Sequence, residues 1–146
     1  MTCTFFGHRD TPNKIEPKLR LTLIDLIENK KVNLFYVGNH GNFDVMVMKN
    51  LKLLNLCYPH IRFFVVLAFM PGKSNDFMYN KDVDTIYPEC LDNTPPKYAI
   101  PKRNRWMIDN SDYVVTYVKH PVGGAAVFKN LAEKKKKTVL NLADFE

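Results

Sequence analysis

The sequence has few of the marks that place a protein quickly. Its three cysteines, Cys3, Cys57 and Cys90, are widely spaced and form no CxxC pair. An odd, scattered set argues against a disulfide framework or a zinc ribbon and for reduced thiols in a cytoplasmic protein. No basic stretch leads into an apolar one at the N-terminus, so no signal peptide is expected. The longest apolar run, Phe63 to Met70, is far short of the roughly 20 residues of a spanning helix, which predicts no membrane partner. Internal repeats, low-complexity tracts and a break between domains are missing too, and residues 1–146 read as a single domain.

What is present is an ordinary globular mixture. Hydrophobic residues make up 46% of the 146 and charged residues 25%, enough for a core that needs neither disulfide nor metal. The net charge of +6 favours anionic partners, without choosing between a nucleotide, a nucleic acid and a merely soluble surface.

Short β-rich runs alternate with helical patterns. Strands are predicted over Thr2 to Phe6, Val32 to Val37, Ile61 to Phe69, Tyr113 to Val118 and Thr138 to Leu142. Helices are predicted over Ile15 to Lys30, from Asn42 or Phe43 to Leu56, over Pro101 to Asn110 and over Val122 to Lys136. Between residues 71 and 100 the rhythm breaks, with one short extended piece at Asp84 to Tyr87. The alternation predicts an α/β Rossmann-like three-layer sandwich with a mainly parallel sheet of about five strands in the order 3-2-1-4-5. Ligands in such sheets bind at the carboxyl edge where the strand order reverses.

Three small-residue loops should gather at that edge. The first is Gly7-His8-Arg9-Asp10, where Arg9 offers a forked pair of donors to phosphate or carboxylate. The second runs Gly38-Asn39-His40-Gly41-Asn42-Phe43-Asp44, and the third His120-Pro121-Val122-Gly123-Gly124-Ala125-Ala126. The second and third each open a helix, whose free N–H groups suit an anion. Glycine in each also has a plainer reading, simply turning the chain.

A helix beginning at Pro101 would carry Lys102, Arg103 and Arg105 in its first turn, against its dipole. A bound anion would offset them; solvent would also screen them. His8, His40 and His120 fall at the same edge, but loops of this kind more often use histidine as a donor or packing group, and no metal site is predicted. Lys134 to Lys137 reads as a solvated helix end. Tyr79, Tyr87 and Tyr98 either stack on a base or fasten the long loop. No nucleophile-base pair is legible from spacing, and no catalytic residue is assigned.

Several of these segments resemble one family. Cys3-Thr4-Phe5-Phe6-Gly7-His8-Arg9 resembles the C-x-F-x-G-H-R opening of YpsA-like proteins in the SLOG superfamily, which also holds DprA and the LOG phosphoribohydrolases. Val37 to Asp44 is similar to the G-G-A-R-G-x-D segment. Arg103-Asn104-Arg105-Trp106-Met107-Ile108-Asp109-Asn110-Ser111-Asp112 is similar to R-N-x-x-M-(V/I)-D-x-(S/A)-D, and Gly123-Gly124-Ala125 stands where the family has G-G-T. The resemblance implies a pocket for a nucleotide or an ADP-ribose-like derivative, with Gly7, Arg9, Gly38, Asp44, Arg103, Asn104, Gly123 and Gly124 around it. Turn chemistry adds Gly41, and loop position adds His8, Asn39 and His40.

The chain also departs from the pattern. Asn39, His40, Gly41 and Asn42 replace the second glycine, the alanine, the arginine and the third glycine of the second motif. The glutamate of LOG-type P-G-G-x-G-T-x-x-E has no counterpart among Val127, Phe128 and Lys129. The leading expectation is therefore binding or sensing of a nucleotide-like ligand. An enzyme cleaving an N-glycosidic or phosphate bond, with Asp44, Asp10 or Glu89 as acid or base, is the alternative. Single-stranded DNA binding in the DprA manner ranks third. Self-association into a homo-oligomer stays open.

Overall fold

Cys3 and Phe5 point to one face of the first strand and Phe6 to the other, and that alternation sets the layers of the fold. The computed structural model describes residues 1–70 and 83–145. Its strands are β1 (Thr2–Gly7), β2 (Leu34–Val37), β3 (Arg62–Val66), β4 (Thr85–Ile86), β5 (Tyr113–Tyr117) and β6 (Thr138–Asn141). Its α-helices are α1 (Glu16–Glu28), α2 (Asn42–Cys57), α3 (Pro96–Asp109) and α4 (Gly124–Lys134).

All six strands run parallel, in the order β4-β3-β2-β1-β5-β6. This is the expected five-strand order with one short strand, β4, added beside β3. The expected extended piece at Asp84 to Tyr87 is that strand. The order reverses between β1 and β5, so the loops leaving these two strands flank the switch point.

On one face α1 and α2 bury Leu19, Leu23, Leu26, Phe43, Val47 and Leu51 against Phe5, Phe35, Val37 and Val115. On the other, Met107 and Ile108 of α3 and Phe128 and Ala132 of α4 cover Phe6, Val66 and Val114. Each such large side chain contributes roughly 1.5–3 kcal/mol when removed from water. Pro17 stands in the first turn of α1, where no N–H is needed. Cys3 is fully buried, as its place in a central strand predicts.

Two expected helix starts are wrong, and an argument falls with the first. The third helix begins at Pro96, not Pro101. Pro96 fills the favoured first position, and Pro101 lies inside the helix, where it lacks only the N–H that would reach the carbonyl of exposed Lys97. Lys102, Arg103 and Arg105 therefore occupy the second and third turns, and the predicted opposition of three cations to the helix dipole does not exist. The fourth helix starts at Gly124 rather than Val122, which stands exposed in the preceding turn. At the far end of that helix Lys135 pairs with Asp109, in keeping with a solvated terminus. Among the described residues no helix is long and apolar enough to cross a membrane.

Candidate functional site

Beneath the end of β1, Gly7 lies against the ring of buried Phe43. A Cβ there would stand 2.3 Å from Phe43 Cγ, so the residue is glycine for packing, not for ligand approach. Gly38, at the end of β2, is small for a similar reason: a Cβ would meet Asp44 Oδ2 at 2.8 Å. Gly41 precedes α2 with φ of 90°, a left-handed conformation that favours glycine, and its would-be Cβ lies 2.7 Å from Arg9 Cα. These contacts fasten the first two loops together. The Asn42 backbone N–H donates to the Arg9 carbonyl at 2.8 Å, and Asn42 Nδ2 donates to the Thr11 carbonyl at 2.6 Å.

The third loop is tied to the first through His8. Its Nε2 accepts the backbone N–H of Lys119 at 2.9 Å and of His120 at 3.3 Å. The rings of His8 and His120 lie 5.1 Å apart. Among the described residues no three His, Cys, Asp or Glu side chains gather as a metal site.

Asp44 sits in the first turn of α2, where its charge suits the helix dipole, and accepts the His40 backbone N–H of the preceding loop at 3.0 Å. Burial pushes its carboxyl up to about 6, while the His40 bond and the charge of Arg103 pull the other way. A carboxyl raised in the folded state makes stability fall as pH climbs from near its ordinary value to about 6. Wild-type protein is therefore expected to lose about 2 kcal/mol relative to Asp44→Asn between pH 4 and 6. Urea denaturation of both proteins across that range checks it; parallel stability curves would contradict it.

Arg103 is more deeply buried than Asp44, only 3% exposed. Its Nε donates to Asn104 Oδ1 at 2.8 Å, and its Nη1 donates to Asn39 Oδ1 at 3.1 Å and the Val66 carbonyl at 3.0 Å. Burial lowers its pKa, opposed by Asp44. Arg103 thus joins α3, β3 and the second loop, and the role of Asn39 is to hold it.

These elements surround a cavity of about 380 Å³ at the carboxyl edge. Of the residues singled out in the sequence, Gly7, His8, Arg9, Gly38, His40, Asp44, Arg103, Asn104 and Gly124 line it. Asn39, Gly41 and Gly123 do not; Asn39 holds Arg103 and Gly41 packs on Arg9. Asp10 and Glu89 are absent from its wall, leaving Asp44 the only one of the three proposed acids there. Sequence reasoning missed the apolar wall formed by Phe6, Ile100, Pro101, Met107 and Phe128. A second hollow, about 570 Å³, lies beyond Asp44 against Met48, Leu53 and Val83. Tyr87 packs on the cluster around Val65, Tyr98 is exposed beside Lys97, and Tyr79 lies outside the described residues.

The N-terminus of α4 differs from the other two loops. Gly123 has φ of 106°, but neither it nor Gly124 would bring a Cβ within 4 Å of any atom. Gly124 also lacks the left-handed backbone that would demand glycine. No side chain caps this helix and its first turn holds no acid. Its unbonded N–H groups therefore meet the cavity across open space, and Arg9 lines the same cavity.

The sequence matches no family profile. No curated protein matches it either. The fold, however, has solved counterparts. The chain superposes on DNA processing protein A from Helicobacter pylori, described for a unique single-stranded DNA binding mode, with a TM-score of 0.61 at 17% identity over 95% of this chain and 63% of that one. It superposes on DprA from Streptococcus pneumoniae with a TM-score of 0.63 at 16% identity, over 94% of this chain and 48% of that one. The chain thus spans about half to two thirds of these proteins. The likeness establishes a Rossmann-like α/β fold of the DprA kind.

Proposed function

We propose that the chain is a binding module for the phosphate of a nucleotide or nucleotide derivative, held at the N-terminus of α4 with Arg9 in the same cavity. The observation that carries this is Gly124, a glycine that neither backbone strain nor packing requires, at an uncapped helix end facing a cavity. Bare N–H groups and the helix dipole suit an anion there. A volume of about 380 Å³ suits a small ligand. The apolar wall between α3 and α4 suits the sugar or base side of such a ligand. The resemblance to YpsA-like proteins of the SLOG superfamily supports the same ligand class, with a cytoplasmic setting. The missing LOG-type glutamate favours binding over glycosidic hydrolysis.

Single-stranded DNA is the second reading. It is favoured by the structural likeness to the Helicobacter pylori protein, and the net charge of +6 agrees with it. Thermal-shift assays against AMP, ADP-ribose and NAD, beside gel shifts with an unlabelled competitor and a short labelled oligonucleotide, separate the two. The leading reading expects stabilisation by a mononucleotide-sized ligand that survives moderate salt. The second expects oligonucleotide binding that weakens steeply with salt. Native protein that responds to neither contradicts both.

A further inference from the structure

His8 accepts two hydrogen bonds at one ring nitrogen. The N–H groups of Lys119 and His120 both point at Nε2, at 2.9 and 3.3 Å. Backbone N–H groups only donate, so Nε2 must carry a lone pair, and the ring proton must reside on Nδ1. His8 is therefore neutral in the structure described. The two residues it holds lie in the turn that leads from β5 into α4, the helix whose N-terminus faces the cavity. No side chain caps that helix, and a Cβ at Gly123 or Gly124 would meet no atom within 4 Å.

We propose that neutral His8 is a latch that positions the 119–124 turn, and that its protonation releases the turn and weakens phosphate binding at α4. A proton on Nε2 turns an acceptor into a donor facing two donors, so both bonds are lost together. The new charge also lies 5.1 Å, ring to ring, from His120. The remaining neighbours are Asp10 on its own loop, whose charge favours protonation, and Tyr117, whose ring meets it edge-on from β5. Arg9, Asp44 and Arg103 line the same cavity from the first loop, α2 and α3. Burial, followed by His120, holds His8 below the ordinary histidine range, so the latch is closed at neutral pH and opens on acidification. The latch rests on the phosphate site proposed above only for its consequence, not for its existence.

The test uses the full chain without ligand. Amide hydrogen-exchange protection factors, corrected for intrinsic pH dependence, are measured by NMR at pH 7.5 and pH 5. Protection of the Lys119 and His120 amides is expected to fall about tenfold with acid, the scale of a lost hydrogen bond. The Asn42 amide, bonded to the Arg9 carbonyl, serves as the control and is expected to hold. His8→Gln, whose side-chain oxygen accepts at a similar reach but does not titrate, is expected to keep the turn protected at both pH values. His8→Ala is expected to lose protection at both.

AMP affinity is then compared between wild type and His8→Gln. Titration of Asp44 and of the AMP phosphate is common to both proteins, so the ratio isolates His8. Wild type is expected to lose about tenfold more affinity on acidification than His8→Gln. Wild-type protection that does not change while His8 titrates, or a His8→Ala turn that stays protected, overturns the latch. Absence of AMP binding at pH 7.5 overturns the phosphate site instead, and leaves the exchange result to decide the latch.

Discussion

Gly124→Asp is expected to abolish binding of the phosphate ligand while making the protein slightly more stable. The two effects have one cause. At the first position of α4 the backbone is ordinary helix, and a side chain enters open space. Replacing glycine there reduces the freedom of the unfolded chain by about 0.4–1 kcal/mol. A carboxylate at an uncapped helix N-terminus adds about 0.3–1 kcal/mol. Together these raise the melting temperature by about 2–7 °C for a domain of this size. The same carboxylate occupies the place of the phosphate and repels it. Losing two charge-assisted bonds, at about 1.5–3 kcal/mol each, weakens affinity by about a hundredfold or more. Calorimetric titration and a melting curve on the same sample check both halves. A variant that is destabilised, or that binds as well as wild type, contradicts the assignment of Gly124.

Arg103→Met is expected to cost about 3–5 kcal/mol of stability, while Arg9→Gln costs almost none. Arg103 is buried and bonded to Asn39, Asn104 and the Val66 carbonyl. Without it the half-buried Asp44 loses its opposing charge, and the Val66 carbonyl and Asn39 lose a donor. A loss of this size is a large part of the roughly 5–15 kcal/mol that holds a domain folded. Arg9 is exposed, and its backbone carbonyl, not its side chain, holds Asn42. Arg9→Gln should therefore spare the melting temperature and lower ligand affinity about tenfold, the loss of one charge-assisted contact. Denaturant melts of both variants separate the roles. Equal stability would show that Arg103 is not the fastening described.

In the sequence these two arginines look alike, each beside a motif and each suited to phosphate. Only their depth distinguishes them, and depth depends on how α3 meets β3. The helix boundary is a similar case. A proline at 101 is a strong local stop signal, and the local rule placed the helix start there. Pro96, five residues earlier, supplies a better one, and the missing hydrogen bond at 101 falls on an exposed turn. Much else was legible. The strand order followed from alternating runs and right-handed crossovers, and the three loops converge because those crossovers leave every helix N-terminus at one edge.

The glycines show where reading from sequence stops. Gly38 and Gly41 read as places where the backbone can approach a ligand, yet Asp44 and Arg9 fill the space beside them. Gly123 and Gly124 look the same in the sequence and are left open, and of the two only Gly124 has a backbone that any residue could adopt. The apolar wall escaped notice because Phe6, Met107 and Phe128 read as ordinary core at strand and helix spacing. They serve the core, and their edges also face the cavity.

The most direct check is an NMR titration of ¹⁵N-labelled protein with AMP, following the backbone amides one by one. The account predicts saturable shifts centred on the amides of Gly124, Ala125 and Ala126, with Arg9 responding in the same cavity. Shifts confined to Lys134–Lys137, or none at saturating ligand, would contradict it.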